Sequence, residues 1–331
     1  MMPFGYTRPA DVASAVALLA AHPGALALAG GTNLVDLMKL GVERPALLVD
    51  IARLPLDRIE ATPAGGLRIG ATVRNSDLAA HPLVRERYPL LAEAVLAGAS
   101  GQLRNAATTG GNLLQRTRCL YFQDVSKPCN KRRPGTGCPA RTGVHRDLGV
   151  LGTSEHCVAT HPSDLAVALV ALDATVRLTG PDGDRTFPLA AFHRLPGDSP
   201  ERDTELGPAE LVTAVELPPP PAGARSVYRK VRDRASFAFA TCSLAALLTL
   251  RDGRVDTVRL AFGALAPRPW RALTAEAALH GQPATPEVIG RALAAELAAA
   301  RPLPDNAFKL TLARRLAVRE LVRLADPQEH R

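Results

Sequence analysis

The chain has 331 residues, of which 47% are hydrophobic and 22% charged, with a formal net charge of +8. This length exceeds one ordinary hydrophobic core, so we expect two or three domains of a globular protein. No apolar run approaches the roughly 18 residues of a membrane-spanning helix, and we expect no membrane insertion. The basic excess would suit an anionic partner, but aromatic residues make up only 4% and no nucleic-acid-binding motif occurs, so we expect no nucleic acid.

The first third of the chain predicts a helix followed by a βαβ unit. Residues 11–21 start with Asp11, a residue suited to N-capping, and continue with the apolar spacing of a helix. The run ALALA (25–29), the turn GGTN, the segment LVDLMKLG and the run ALLVDI then predict strand, turn, helix and strand. A strand is predicted at 67–73, and a broken helical stretch follows it.

The remainder predicts two further structural units. A helix at 163–174, a hairpin at 175–189 around PDGD and a strand at 210–217 come first. The four prolines at 218–221 cannot continue a ladder of hydrogen bonds, so we expect a domain boundary there. Beyond them, FAFATCSLAALLTLRDGRVDTVRLAFGAL predicts two long strands, and two later helical stretches are predicted to cover an antiparallel sheet.

Two glycine turns could hold a ligand. The first, LAGGTN, lies between a predicted strand and a helix, and the second is TTGGNLLQ at 108–115. Glycine allows close backbone approach, and successive N–H groups at such a turn can bind an anion such as a diphosphate. Neither turn matches the GxGxxG or GxxxxGK[ST] fingerprint, and a single GG turn is more often purely structural. Two in one domain, both with Thr and Asn, favour a large phosphate-bearing ligand held from two sides.

Four of the five cysteines lie within about forty residues, in a segment without helical or strand periodicity. No CxxC pair typical of structural zinc occurs. Eight basic residues stand between positions 116 and 146, against the single acid Asp124. A [4Fe–4S] cluster with four thiolates is net negative, so these cations favour it, while zinc and disulfides stay open on the residues alone. The fifth cysteine, Cys242, lies in an apolar strand and is predicted to be a buried core thiol.

The segments LAGGTNLVDLMKLG, TTGGNLL, HPSDLAVAL and YRKVRDRASFAFA resemble, in order and spacing, the FAD-binding subunits of the molybdenum hydroxylases. That family includes xanthine dehydrogenase, carbon monoxide dehydrogenase and aldehyde oxidoreductases. The resemblance implies an α+β fold: a PCMH-type, vanillyl-alcohol-oxidase-like FAD-binding domain of two α/β subdomains, then a C-terminal antiparallel sheet with helices of the CO dehydrogenase flavoprotein type. The implied domains are 1–222, with subdomains 1–57 and 58–222, and 223–331.

The resemblance also implies which residues bind FAD. Asp164 matches an acid that hydrogen-bonds the cofactor, although a helix N-cap is an alternative role for it. Lys230 matches a lysine beside the flavin ring, where a positive charge favours the anionic reduced flavin, with an exposed strand lysine as the alternative. Val212 matches a residue that touches the cofactor through its main chain. The first turn contributes Leu26, Ala27, Leu28, Ala29, Gly30, Gly31, Thr32 and Asn33, and the second contributes Thr108, Thr109, Gly110, Gly111 and Asn112.

The cysteine segment narrows the resemblance further. Most flavin subunits of this family have no such cysteines between TTGGN and HPSD. The segments RTRCLYFQD, CNKRRPGTGC and VLGTSEHCVATHPSDLAVAL resemble the flavin subunit of bacterial periplasmic aldehyde oxidoreductases, which carries an additional [4Fe–4S] cluster in an inserted loop. The resemblance therefore implies a cluster in the loop 115–158, held by Cys119, Cys129, Cys138 and Cys157.

The implied function is electron transfer within a heterotrimeric aldehyde oxidoreductase. A large partner with a molybdenum cofactor would oxidise aldehyde to carboxylic acid, and a small [2Fe–2S] partner would pass the electrons to FAD and on to an external acceptor. No catalytic residue is expected in this chain. The sequence shows no secretory signal pattern, so a periplasmic location would require co-export with a partner, with the cytoplasm as the alternative. Two other interpretations stay open: a zinc-stabilised nucleic-acid-binding protein and a stand-alone flavin oxidase.

Overall fold

The computed structural model describes residues 1–326, and its strands form three separate sheets. The first is a small parallel sheet. Its helix begins where Asp11 accepts a hydrogen bond from the Ser14 N–H at 2.7 Å, as the capping pattern predicts. Leu26 pairs in parallel with Leu48, which confirms the βαβ unit. The elements are β1 (Gly5–Thr7), α1 (Val12–Ala21), β2 (Leu26–Leu28), α2 (Leu34–Lys39) and β3 (Leu47–Asp50), in strand order β1-β3-β2.

The second sheet is antiparallel and has five strands. The helical stretch between its second and third strands is broken, as predicted, because Pro82 and Pro89 each start a new helix where their missing N–H is harmless. These helices and the later helix Asp164–Ala171 pack on the sheet around the largest apolar core. The elements are β4 (Ile59–Ala61), β5 (Leu67–Gly70), α3 (Asn75–Ala80), α4 (Pro82–Arg87), α5 (Pro89–Ala97), α6 (Gly101–Arg104), α7 (Thr109–Leu113), α8 (Leu120–Gln123), α9 (Asp164–Ala171), β6 (Thr175–Gly180), β7 (Gly183–Pro188), α10 (Leu189–Phe192) and β8 (Leu211–Leu217), in strand order β4-β5-β8-β6-β7.

The third sheet is antiparallel and carries the C-terminal helices. Its long hairpin is confirmed, but the prediction that the first hairpin strand includes FAFA is wrong. Phe237 has a φ of 49°, outside the strand region, and it is held in a loop by the Arg234 guanidinium, which donates to its carbonyl oxygen. The short helix Leu273–Leu279 was not predicted. The elements are β9 (Arg225–Val231), β10 (Cys242–Arg251), β11 (Arg254–Gly263), β12 (Trp270–Arg271), α11 (Leu273–Leu279), α12 (Pro286–Leu297) and α13 (Phe308–Ala325), in strand order β12-β11-β10-β9.

The cysteine-rich segment contributes no strand to any sheet, and tertiary contacts hold it. It contains only α8 and a single 3-10 turn at Pro139–Arg141. Its C-terminal end is held by two fully buried side chains: Asn306, which precedes α13, and Lys309, in the first turn of α13. The Asn306 amide donates to three carbonyl oxygens of the segment 145–149, and the Lys309 ammonium donates to those of Leu148 and Ala264 at 3.0 and 2.9 Å. Burial lowers the pKa of Lys309 to about 8.

The proline-rich stretch separates the second and third sheets. Strand β8 ends at Leu217, and the chain next enters a sheet at Arg225, in β9. The last five residues of the predicted C-terminal domain, 327–331, lie outside the described residues. Across 1–326, the search for a helix with the length and apolarity to cross a bilayer finds none.

We predict that His193 makes the fold sensitive to acid. Burial lowers the pKa of His193 to about 4, although the Leu113 carbonyl oxygen, 2.9 Å from its Nε2, acts in the opposite direction. Its Nδ1 has no partner that would stabilise a second proton. Between pH 6.5 and 4 the unfolded chain binds this proton and the folded chain does not, so stability falls as pH falls, by about 3 kcal/mol in total. Urea unfolding at pH 7 and pH 4 should show this loss reduced in His193→Gln. The exposed His22→Gln variant should keep the wild-type pH dependence, and an unchanged slope in His193→Gln would contradict the prediction.

Candidate functional site

Two adjoining cavities lie where the first sheet meets the second. Their volumes are about 330 and 650 Å³, and Thr32, Asn33 and Gly111 line both. The smaller cavity is lined by the first glycine turn, part of the second turn and the start of β8. The larger extends along the end of α5 to the chain leaving β9. The two predicted glycine turns, about eighty residues apart in sequence, therefore meet at one continuous cleft.

The first turn needs both of its glycines. A Cβ atom on Gly30 would lie 1.8 Å from the carbonyl oxygen of Ala106, and Gly31 has a φ of +69°. Among the described residues, no carbonyl or side chain accepts a hydrogen bond from the backbone N–H of Gly30, Gly31, Thr32 or Asn33. Four consecutive free N–H groups at the wall of a cavity can bind an anionic oxygen, which is the arrangement the sequence predicted.

The two middle residues of the second turn, Thr109 and Gly110, donate hydrogen bonds to the chain that leaves β5. The Thr109 N–H and hydroxyl both donate to the Val73 carbonyl oxygen, at 2.8 and 3.2 Å, and the Gly110 N–H donates to that of Ala71 at 2.8 Å. Thr109 is fully buried and lines neither cavity, so its predicted direct contact with a ligand is not supported by its position. Thr108, Gly110, Gly111 and Asn112 do line the cleft.

Two buried amides facing the cleft lack a partner. The Asn33 Oδ1 accepts the Arg116 backbone N–H at 2.9 Å, while its Nδ2 donates to no group. The Oδ1 of Asn75, in the wall of the larger cavity, accepts no hydrogen bond. A buried polar atom without a partner costs free energy, so both atoms fit a site that receives a polar ligand. Sequence reasoning missed Asn75, because a single Asn at a helix start carries no signal.

Asp164 and Lys230 form a buried ion pair in the larger cavity. The Lys230 side chain is 4% exposed, and its Nζ lies 2.7 Å from the Asp164 Oδ2, whose Oδ1 accepts from the Tyr228 hydroxyl at 2.5 Å. Both alternative roles are wrong: Ser163 caps α9 by accepting from the Ala166 N–H at 2.9 Å, and Lys230 is not exposed. Because Asp164 balances its charge, the pair presents a dipole to the cleft rather than a free positive charge.

The remaining predicted residues also lie at the cleft. Val212, 4% exposed in β8, lines the smaller cavity together with all eight residues of the first turn, 26–33. Three aromatic and basic side chains at the rim of the larger cavity were not predicted. The Arg118 guanidinium lies 4.8 Å from the centroid of the Phe239 ring, and Phe237 is about half exposed. The segment RDRASFAFA carried this signal, but we assigned its aromatic residues to a strand.

The four cysteines of the basic segment line a third, small cavity. All four are free thiols; Cys119 and Cys157 are buried, while Cys129 and Cys138 are partly exposed. Burial raises the pKa of Cys119 to about 11, but the backbone N–H groups of Phe122 and Tyr121 favour its thiolate. Burial also raises the pKa values of Cys138 and Cys157. Their thiolates are in turn favoured by the N–H groups of Val158, Ala140 and Ala159 and, at Cys157, by Lys131.

The cysteines differ in what they can bind. Cys242 is fully buried in β10 and its pKa is raised by burial to about 12, which confirms a core thiol. Within residues 1–326, no group of three or more His, Cys, Asp or Glu side chains is arranged to hold a metal ion. The arrangement of the four cysteines therefore does not by itself support the predicted cluster.

A continuous cleft with free backbone N–H groups from a glycine turn, unpaired amide atoms and a buried ion pair defines a protein that binds a large phosphate-bearing ligand. The family model "FAD binding domain in molybdopterin dehydrogenase" matches residues 2–220, and "CO dehydrogenase flavoprotein C-terminal domain" matches residues 226–324. This chain belongs to the FAD-binding subunits of the molybdenum hydroxylases, a family of oxidoreductases, and the fold class is confirmed.

Individual relatives agree with the family. The aldehyde oxidoreductase FAD-binding subunit PaoB of Escherichia coli (strain K12) is 52% identical over 317 residues, 95% of this chain and 96% of that protein. The glyceraldehyde dehydrogenase medium chain of Sulfolobus acidocaldarius is 28% identical, over 84% of this chain and 82% of that one. A solved carbon monoxide dehydrogenase chain from Hydrogenophaga pseudoflava matches with a TM-score of 0.75 and 30% identity, covering 96% of both chains.

We predict that Gly30→Ala abolishes stable FAD binding. Its methyl group would overlap the Ala106 carbonyl oxygen, so the first turn must move away from the second. The free N–H groups of the first turn would then no longer point at one position in the cleft. Flavin absorbance per chain after purification should fall to a small fraction of the wild-type value. Gly290→Ala, where an added Cβ meets no atom within 4 Å, should keep its flavin. Full flavin content in Gly30→Ala would show that the close approach is not needed.

Proposed function

We propose that the chain is the FAD- and [4Fe–4S]-containing electron-transfer subunit of a heterotrimeric, molybdenum-dependent aldehyde oxidoreductase. A large partner would hold the molybdenum cofactor and oxidise aldehyde to carboxylic acid, and a small partner would hold [2Fe–2S] clusters. The 52% identity to an aldehyde oxidoreductase subunit over nearly the whole chain supports the substrate class. Relatives named as medium chains support the presence of larger and smaller partners.

The cleft carries the flavin part of this proposal. The free N–H groups of the first turn suit the pyrophosphate, and the apolar wall beside Leu28 and Val212 suits an adenine ring. The larger cavity has room for the ring system and presents the Asn75 amide and the Lys230 ammonium. FAD, when bound, supplies the capacity to accept and release one or two electrons.

The Lys230 ammonium has one N–H group left to donate to a ligand in the larger cavity. An ammonium has three hydrogens; the Asp164 carboxylate takes one at 2.7 Å and the Ala97 carbonyl oxygen a second at 3.2 Å. The third can point into the larger cavity. Tyr228 keeps this arrangement fixed, because burial and the Asp164 carboxylate raise its pKa well above 10 and it remains a hydrogen-bond donor. The chain therefore supplies orientation and a fixed dipole at this end of the cleft, and proton transfer is not required of it.

The cysteine segment favours an iron–sulfur cluster over zinc. Its four cysteines line one small cavity and include no CxxC pair typical of structural zinc. Nearby backbone N–H groups favour the thiolate forms of Cys119, Cys138 and Cys157, and N–H donors beside thiolates stabilise such clusters. Lys131 and the other cations offset the negative charge.

The compartment and the acceptor belong to the same proposal. Export of the folded complex on a partner's signal would place this subunit in the periplasm, where it would pass electrons to an external acceptor. The rim formed by Arg118, Phe237 and Phe239 is the exposed approach to the larger cavity and the side from which an acceptor would reach the flavin.

We predict about four irons per chain in anaerobically purified protein, and their loss in Cys129→Ser. The measurement is iron and acid-labile sulfide content together with the broad absorbance near 400 nm. Cys242→Ala removes a cysteine of the same chain that lies outside the cavity, and it should keep the full iron content. Zinc in place of iron, or equal iron in the wild type and Cys129→Ser, would refute the cluster assignment.

We predict that aldehyde reduces the flavin of this chain only in the presence of both partner subunits. The substrate pocket is assigned to another chain, so electrons must arrive through the small partner. Anaerobic bleaching of flavin absorbance by an aldehyde is the measurement, made with the three-subunit complex and with the FAD-loaded chain alone. Bleaching of the isolated chain would instead favour a stand-alone flavin oxidase.

A further inference from the structure

The cysteine cavity and the smaller flavin cavity are joined by a short run of charged contacts. Lys131, buried in the wall of the cysteine cavity, donates through Nζ to Asp203 Oδ1 at 2.5 Å and to the Pro200 carbonyl oxygen at 2.7 Å. The other oxygen of Asp203 accepts from Arg116 Nε at 2.8 Å. Arg116 lines the smaller flavin cavity. Asp203 thus bridges a cation of one site and a cation of the other.

Arg116 in turn controls the amide that faces the flavin cleft. Its backbone N–H donates to Asn33 Oδ1 at 2.9 Å and fixes the orientation of this amide, whose Nδ2 has no hydrogen-bond partner. Asn33 lines both cavities of the cleft. The Arg116 guanidinium is held by Asp203, by Glu43 at 2.6 Å and by the Phe122 ring, whose centroid lies 4.7 Å away. A shift of any of these three groups would move the Arg116 backbone and with it the Asn33 amide.

Two of the groups that hold Arg116 depend on the cysteine cavity. Phe122 belongs to the apolar cluster that contains Cys119 and Cys157, and its backbone N–H donates to the Cys119 carbonyl oxygen at 3.0 Å. Lys131 lies two residues beyond Cys129 and is one of the charges that Asp203 requires. Asp203 keeps its charge although burial opposes it, because Lys131 and Arg116 lower its pKa. Without Lys131, the Asp203 carboxylate would pair with Arg116 only, and one positive charge fewer would stabilise it.

We propose that Arg116 is a positioning residue for the flavin cradle and that Asp203 makes its position depend on the contents of the cysteine cavity. This inference rests partly on the cluster of the proposed function and goes beyond it. A cluster bound by the four cysteines would order the segment that carries Lys131 and Phe122. Loss of the cluster frees both, and FAD affinity falls. By linkage, bound FAD then favours retention of the cluster to the same extent.

The first test is the affinity of the full chain, stripped of flavin, for FAD. Asp203→Asn should raise the dissociation constant about tenfold while leaving the iron content unchanged, within the usual range of such couplings. Asp203→Glu, which restores the charge, should recover part of the affinity. Asp173→Asn is the matched control, since Asp173 also bridges two cations, Arg259 and Arg271, and lines none of the cavities described above. It should bind FAD as the wild type does.

The second test is whether the two sites act through one contact. Cys129→Ser should lose iron and weaken FAD binding, and adding Asp203→Asn to it should cause little further loss, because the connection is already broken. Lys131→Gln breaks the same connection from the other end, so the inference stays testable if Asp203→Asn fails to fold. Wild-type FAD affinity in both Asp203→Asn and Lys131→Gln, or additive losses in the double variant, would overturn it.

The result separates this inference from the proposed function. Wild-type protein that contains no iron would refute the cluster, and the FAD affinity of Asp203→Asn would still decide whether Arg116 positions the cradle. Iron-loaded wild type together with an unaffected Asp203→Asn and Lys131→Gln would refute the inference and leave the cluster standing.

Discussion

The contact between the Gly30 backbone and the Ala106 carbonyl oxygen is the constraint on which the site depends. Ala106 lies two residues before the second glycine turn, so this contact brings the parallel sheet and the five-stranded sheet together at the point where both turns face the cleft. A side chain at position 30 cannot fit there. The free N–H groups of the first turn and the capped start of α7 therefore share one cleft only because one residue has no Cβ atom.

The cysteine segment shows how a stretch without secondary structure of its own is held in place. The α13 side fastens its end through Asn306 and Lys309, whose polar atoms satisfy carbonyl groups that no strand or helix would otherwise pair. Asp203 fastens its middle through Lys131. The four cysteines line one small cavity with basic surroundings, and a cationic metal core bound by them would offset the thiolate charge that burial disfavours.

Several charged groups in this protein are buried in pairs or in short runs, whereas the buried Lys309 ammonium donates to carbonyl oxygens. The Asp164–Lys230 pair and the Lys131–Asp203–Arg116 run each occur where two sheets or a sheet and the cysteine segment meet. Removing one partner from such a group leaves an uncompensated buried charge. Each pair therefore selects one arrangement of the neighbouring residues, while its net contribution to the stability of the fold is small. The electron transfer that we propose for this chain would require such fixed cofactor positions and fixed local charge.

The sequence by itself determined most of the element order, the family, the two glycine turns and the grouping of the four cysteines, because these depend on local periodicity and on residue types that are adjacent along the chain. All but one of the residues predicted to bind flavin line the cleft. Tertiary structure alone decided that Thr109 donates to Val73, that Asp164 neutralises Lys230 and that residues 237–239 form a loop at the rim. It also decided that Asn75 lines the larger cavity and that Asp203 bridges Arg116 and Lys131. Each of these depends on a contact between residues that are distant in sequence, and no local pattern records which partner a buried polar group will find.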